Sequence, residues 1–174
     1  QKPNTAILGG SKVSTKIELI NNLIEHFDNI VIGGAMANTF LFAEGYNIGK
    51  SLAEKELIKT SKEILNKAKN YNCNFILPID VVCSNNIKDS INIRYSDIHN
   101  ILPDQMILDV GNKTIQTITK TLLRSNMILW NGPLGAFEYK PFNHATIKIA
   151  NTIEENTKLR NITTLAGGGD TISA

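Results

Sequence analysis

Short apolar runs that end in glycine clusters constrain this chain more than any other feature. Thr5-Ala6-Ile7-Leu8 runs into Gly9-Gly10, and Ile30-Val31-Ile32 into Gly33-Gly34. Met127-Ile128-Leu129 runs into Trp130-Asn131-Gly132-Pro133-Leu134-Gly135-Ala136-Phe137-Glu138, and Ile162-Thr163-Thr164-Leu165-Ala166 into Gly167-Gly168-Gly169-Asp170-Thr171. Each run reads as a buried strand, and each glycine cluster as a turn leading into a helix. Glycine directly after a strand lets backbone N–H groups face outward, and the helix that follows adds a partial positive end. That pairing suits an anion, usually a phosphate.

Between the strands the apolar spacing is helical. Val13, Ile17, Ile20, Ile24 and Phe27 form one stripe, and Ala35 to Glu44 reads as a short helix closed by Gly45. A third helix runs near Glu54 to Lys69, a fourth from Gly111 to about Leu123, and a fifth from His144 to Glu155. Phe75-Ile76-Leu77 and Val81-Val82 are strand-like around Pro78, and Met106-Ile107-Leu108-Asp109-Val110 is a further strand. Residues 84–104 are polar and asparagine-rich, which predicts a loop with room for an edge strand or hairpin.

Strands alternating with helices imply βαβ units, right-handed crossovers and helices on both faces of a mostly parallel sheet. The fold class is therefore α/β, a three-layer αβα arrangement around a Rossmann-like parallel sheet. Ligands of such sheets bind at the carboxyl ends of the strands. The four glycine clusters should therefore gather on one rim.

Composition narrows the partners. At 174 residues the chain is one domain, long enough for a real core. A net charge of +2 without a dense Lys/Arg cluster gives no reason to invoke nucleic acid or an acidic membrane. No apolar run approaches the ~20 residues that span a bilayer. Cys73 and Cys83 form neither a disulfide framework nor a CxxC pair, which predicts reduced structural thiols in a cytoplasmic protein. Gln1-Lys2-Pro3-Asn4 is not a targeting peptide, and the chain stops at Thr171-Ile172-Ser173-Ala174 where a helix should begin. Both ends predict a piece of a longer protein.

The charged residues on the predicted rim each admit two readings. Lys12 and Lys16 sit four apart at a predicted helix start, where a positive side chain opposes the macrodipole. They bind a polyphosphate or are solvated surface lysines. Asp170 holds Mg²⁺ on phosphates or caps a helix. Asn131 donates its amide to a phosphate or fixes the Gly-Pro turn. Glu138 accepts from ribose hydroxyls or is a first-turn helix acid. Trp130 and Phe137 read as core, Asp80 and Asp109 as structural, and His26, His99 and His144 as scattered surface residues.

Taken together, Gly9 through Lys16, Gly33 through Phe40, Gly49-Lys50-Ser51-Leu52, Leu77-Pro78-Ile79-Asp80, Trp130 through Glu138 and Gly167 through Thr171 resemble phosphoglycerate kinase, collinearly across essentially the whole chain. The resemblance is to the C-terminal, nucleotide-binding lobe, spanning residues 1–174, incomplete at its C-terminal end and without the N-terminal substrate lobe. It implies reversible Mg²⁺-dependent phosphoryl transfer between 1,3-bisphosphoglycerate and ADP, giving 3-phosphoglycerate and ATP, by a cytoplasmic monomer. It implies that Lys12 and Gly169 are catalytic, Lys12 stabilising the phosphoryl group in flight. Lys16 contacts the nucleotide phosphates, Asn131 lies near them, and Glu138 binds the ribose. Gly168, Gly169, Asp170 and Thr171 hold phosphate and Mg²⁺, with Asp170 the metal ligand. Gly33 and Gly34 line the adenine slot, and Gly10, Pro133 and Gly135 complete the nucleotide site. Ala35 and Ile107 stand where glycines are common in the family, and narrow that slot.

Phosphoryl transfer needs positioning and charge neutralisation more than covalent chemistry. The absence of a His–Asp pair therefore does not count against this reading, and the lobe by itself is expected to be inactive. Two other classes remain to be tested. A dinucleotide-binding domain needs G-x-G-x-x-G after the first strand, which Gly9-Gly10-Ser11-Lys12 lacks. A non-catalytic module predicts no nucleotide affinity.

Overall fold

In the computed structural model, which describes residues 3–88 and 91–173, strands and helices alternate as the apolar spacing requires. The order is β1 (Asn4–Leu8), α1 (Ile17–His26), β2 (Asn29–Ile32) and α2 (Gly34–Ala43), then a 3₁₀ turn (Lys55–Leu57) that continues into α3 (Ile58–Asn70). There follow β3 (Asn74–Ile76), β4 (Asp80–Ser84), β5 (Arg94–Asp97) and β6 (Met106–Val110). Then come α4 (Asn112–Leu123), β7 (Met127–Asn131), α5 (His144–Arg160), β8 (Thr163–Gly167) and α6 (Gly169–Ser173). Gln1, Lys2 and Ala174, which belong to the readings of the termini, and Asp89 and Ser90 of the polar stretch lie outside the described residues.

Five strands form one parallel sheet in the order β3-β2-β1-β7-β8. Successive side chains point to opposite faces. Ala6, Leu8, Ile30 and Ile32 pack with Ile20 and Ile24 of α1, Met36 and Phe40 of α2, and Ile64 of α3. Ile7, Val31, Ile128 and Trp130 pack on the other face with Ile115 and Ile118 of α4 and Ile149 of α5. Burial on both faces explains why these strands read as continuous apolar runs. The expected three-layer arrangement follows from this alternation.

The second sheet departs from expectation. β4 pairs antiparallel with β5 and with β6, in the order β5-β4-β6. Met106–Val110 thus lies outside the parallel sheet. The cause is chain length. Only Leu77, Pro78 and Ile79 join β3 to β4, whereas a parallel crossover needs a dozen residues or more. The chain turns away at Pro78 and starts a new layer, and the polar stretch supplies its edge strand, β5.

Helix boundaries differ in three instructive places. First, α1 begins at Ile17, so Lys12 precedes the helix and Lys16 occupies its N-cap. The two lysines do not share a helical face. Glu54 reaches in from outside and accepts from the backbone N–H of Ser14 at 3.0 Å and from its hydroxyl. It also accepts from the N–H of Val13. That holds 13–14 as a turn, although Val13 is still fully buried. Second, residues 132–143 form turns, and no helix starts until His144. Third, α5 runs on to Arg160, where Asn161 ends it in the left-handed region at φ 51°. Gly45, at φ 93°, closes α2 as expected.

Cys73 and Cys83 are buried free thiols, and burial pushes both up to about 11. They are packing residues.

Candidate functional site

The carboxyl ends of β1, β2 and β7 meet, but their glycines serve a different purpose from the expected one. Gly9 N–H donates to Asn131 O at 3.0 Å and Gly10 N–H to Pro133 O at 3.2 Å. Gly33 N–H donates to Leu8 O and Gly34 N–H to Leu134 O, both at 2.8 Å. These four amides are spent on joining the loops to one another and to the sheet. They do not face outward for an anion. Glycine is required because the loops touch. A Cβ on Gly34 would lie 2.7 Å from Gly10 N, and Gly34 also adopts φ 64°.

The 167–169 cluster behaves differently. Nothing lies within 4 Å of a Cβ built on Gly169, and at Gly168 the nearest atoms are at 3.4 Å. The first N–H groups of α6 have no partner within the helix. Open space and exposed amides coincide at this turn.

Lys16, Asn131, Asp170 and Thr171 converge there. The Lys16 ammonium donates to Gly9 O at 2.7 Å and to Asn131 O at 3.1 Å. Burial lowers its affinity for a proton, and the Asp170 carboxylate partly opposes that shift. The Asn131 amide donates to Gly167 O at 3.2 Å. This ties β7 to β8 rather than fixing the Gly-Pro turn. The Thr171 hydroxyl, buried, accepts from Gly132 N–H at 2.6 Å. Asp170 lies inside the first turn of α6 and is not its N-cap. Lys12 stands on the preceding turn, exposed. Burial raises the pKa of Glu54, but the Ser14 and Val13 hydrogen bonds and the Lys12 charge outweigh it, so Glu54 lies below its ordinary value.

Beside this cluster opens a cleft of about 380 Å³. Gly10, Gly34, Pro133, Gly135, Glu138 and Asp170 line it, whereas Lys12, Lys16, Gly33, Asn131, Gly168, Gly169 and Thr171 do not. Its wall is largely apolar, from Ala35, Leu52, Met106, Ile107, Leu108 and Phe137. Phe137 is therefore a wall residue and not core. Glu138 sits exposed in a turn, so its reading as a first-turn helix acid falls away. Asn38 and Leu52 fall within motifs of the family resemblance and Met106 and Leu108 within a strand, but none of the four was marked as a site residue by the sequence. They reach the cleft because the antiparallel sheet leans β6 against α2.

Two carboxylates near the cleft are structural. Asp80 accepts from the N–H groups of Lys113 at 2.9 Å and Thr114 at 2.7 Å, capping α4. Asp109 accepts from Val110 N–H at 2.9 Å and Ala145 N–H at 3.0 Å. Burial pushes Asp109 up to about 7, against the pull of those two bonds. Among the described residues no group of three or more His, Cys, Asp or Glu is arranged to hold a metal. A lone carboxylate still fits Mg²⁺, which takes one or two carboxylates plus phosphate oxygens. Asp170, on the cleft and beside the open amides of α6, has that chemistry. Among the described residues no helix is long and apolar enough to cross a membrane.

The sequence profile of the family Phosphoglycerate kinase matches residues 1–174. A phosphoglycerate kinase from Jannaschia sp. is 47% identical over 174 residues, covering 100% of this chain and 44% of that protein. One from Mesorhizobium japonicum is 47% identical over 173 residues, with 99% and 44% covered. The structure of phosphoglycerate kinase from Coxiella burnetii superposes with a TM-score of 0.95 at 38% identity, covering 99% of this chain and 43% of that one. The chain spans under half the length of the curated relatives it matches.

Proposed function

Because this chain belongs to the phosphoglycerate kinase family, we propose that it forms the nucleotide-binding lobe of such a kinase, transferring a phosphoryl group reversibly between 1,3-bisphosphoglycerate and ADP. One observation carries the reading. Lys16 and Asp170, far apart in sequence, come close enough for the Asp170 charge to act on Lys16, beside an apolar cleft. A nucleotide has that shape of demand, a flat apolar base at one end and a chain of negative oxygens at the other.

The base would lie against Ala35, Ile107 and Phe137, with Gly33 and Gly34 behind the slot. Glu138 would accept from the ribose. Lys16 already spends two N–H groups on backbone carbonyls, and its third would go to the phosphates. Gly168, Gly169 and Thr171 would supply amides at the start of α6, and Asn131 its second amide N–H. Lys12, exposed on the turn that Glu54 braces, would meet the phosphoryl group as it moves. Asp170 would hold a magnesium ion, whose charge would neutralise phosphate oxygens in the transition state. The phosphoglycerate itself would be bound by the part of the protein that this chain does not span. Closure of the two lobes would exclude water and align the reactants. The isolated chain is therefore inactive in this reading, a cytoplasmic monomer that binds nucleotide weakly.

Calorimetry with ADP and Mg²⁺ tests it. Lys16→Ala and Asp170→Ala should each weaken binding by about tenfold, since charge-assisted contacts are lost. The Asp170→Ala loss should vanish when Mg²⁺ is withheld. A chain that binds no ADP, or both variants binding like the parent, would sink the proposal.

A further inference from the structure

Gly132 is forced on this chain. Its φ is 103°, and a Cβ there would lie 2.5 Å from Gly9 C and 3.0 Å from Gly9 Cα. The residue before it is Asn131, and no other asparagine in the chain precedes a glycine. Asparagine before glycine is the pair most prone to deamidation. A residue without a side chain leaves its amide nitrogen unshielded and free to turn toward the preceding side chain. The close packing of the rim thus fixes the reactive half of that pair.

The structure restrains both nitrogens of the reaction. The Gly132 N–H donates to the buried Thr171 hydroxyl at 2.6 Å, and the Asn131 amide nitrogen donates to Gly167 O at 3.2 Å. The first nitrogen is the nucleophile and the second is the leaving group. Both acceptors belong to one short segment, the end of β8 and α6. That segment is weakly packed. Among the described residues β8 pairs with β7 alone, and Thr171 is the one buried residue of α6. Leu165 and Ile172 are 59% and 76% exposed. Segments with so few buried contacts open locally at a fraction of the cost of global unfolding. Opening 167–171 frees nucleophile and leaving group together. Asn131 itself is only half-buried, so water has access to the site.

We propose that Asn131-Gly132 is a site of spontaneous covalent modification, latched by Gly167 and Thr171. When the latch opens, the Gly132 nitrogen gives up its proton and attacks Asn131 Cγ. The N–Cγ bond forms, the Cγ–Nδ2 bond breaks, and ammonia leaves, taking up a proton in its place. Water then opens the resulting cyclic imide at one or the other carbonyl, leaving aspartate or isoaspartate at position 131. Either product puts a carboxylate where a neutral amide stood. The Lys16 ammonium lies 3.1 Å from Asn131 O, and Asp170 already acts on Lys16. Isoaspartate also lengthens the backbone just where Gly9 N–H bonds Asn131 O. The altered rim would repel a polyphosphate; that consequence, unlike the modification, rests on the nucleotide reading above.

Peptide mapping of the protein aged at mildly alkaline pH tests this. Conversion at Asn131 should be at least about tenfold slower in the folded protein than in protein unfolded by urea, because the closed latch stops the reaction. Thr171→Val keeps the shape and removes the acceptor. It should speed conversion about fivefold to tenfold, the value of one hydrogen bond, and leave every other asparagine unchanged. In the parent, about 1 M urea should change the folded rate by less than about threefold, since a short latch exposes little surface. Opening of the whole domain would raise it about thirtyfold. Equal rates in folded and unfolded protein overturn the latch. So does a thirtyfold response to urea, and so does a Thr171→Val variant that ages like the parent. The urea response of the parent decides the matter even where the variant does not fold. Calorimetry with ADP and Mg²⁺ on the deamidated fraction reads the consequence, which should be binding at least about tenfold weaker. Unchanged ADP binding by that fraction overturns the consequence and leaves the nucleotide reading standing. A parent that binds no ADP overturns the nucleotide reading and leaves the modification site standing.

Discussion

Gly9→Ala tests whether the glycine rim is held together by close backbone approach. A Cβ on Gly9 would lie 2.7 Å from Gly132 O and closer still to Pro133 O. Both are backbone atoms, directly after the parallel pairing of β1 with β7, and cannot rotate aside as a side chain could. The 132–134 segment must therefore retreat from the end of β1. Retreat breaks the Gly9–Asn131 and Gly10–Pro133 bonds and loosens Gly34–Leu134. At ~1 kcal/mol net for each bond lost, plus ~1–3 kcal/mol for overpacking, the cost is about 3–5 kcal/mol. That is a large share of the ~5–15 kcal/mol by which domains are stable. Urea unfolding followed by Trp130 fluorescence reads it directly, since Trp130 is the sole tryptophan and is buried beside this loop. With an m-value of ~2 kcal/mol/M the midpoint should fall by about 2 M. Gly169→Ala is the control, because open space surrounds that position, and it should move stability by less than ~0.5 kcal/mol. If Gly9→Ala unfolds within about 1 kcal/mol of the parent, the close-approach argument is wrong.

Asp109 and Asp80 yield two more expectations. The folded pKa of Asp109, about 7, lies above its ordinary 3.8. Its contribution to stability is therefore fully present below pH 3.8 and lost as pH rises through about 7, to an extent of up to ~4 kcal/mol. Melting temperature followed from pH 4 to 8 should decline in that window, and Asp109→Asn should flatten the decline; identical slopes would remove burial as the cause. Asp80→Ala frees the N–H groups of Lys113 and Thr114 at the start of α4, at a cost of about 1–2 kcal/mol. Asp80→Asn should fall between the two in a thermal melt, and an alanine variant as stable as the parent would show that the cap contributes nothing.

The parallel sheet and its glycine rim were legible because one physical pattern writes both. Strands buried on two faces must be continuously apolar, and chain that turns tightly at a strand end must be glycine. Hence Thr5–Leu8 and Ile30–Ile32 announced themselves. What glycine was for did not. The same Gly9-Gly10 pair is compatible with cradling an anion and with letting two loops touch, and only the position of Pro133 decides. The second sheet was not legible because Met106–Val110 has the composition of any buried strand. Its partner was set by the three residues joining β3 to β4, a matter of reach and not of pattern. Lys12 was placed on a helix because Val13 continues the apolar stripe. Glu54, distant in sequence, takes the amides that a helical turn would have used. Asn38 and the wall residues Leu52, Met106 and Leu108 went without an assigned role for a related reason. Nothing local shows that the antiparallel sheet will lean β6 against α2.

The central position of β1 has a consequence for how the protein comes into being. Residues 4–8 leave the ribosome long before one of their two partners in the sheet, residues 127–131. Until then one side of that apolar strand has no neighbour, while the other has already zipped to residues 29–32. The nascent protein carries a half-formed sheet with a sticky open flank until residues 127–131 emerge. Such long-range closure is slow, and such flanks attract other chains. Interrupting synthesis before residue 127 should therefore leave a species that clumps, and supplying the later segment should rescue it.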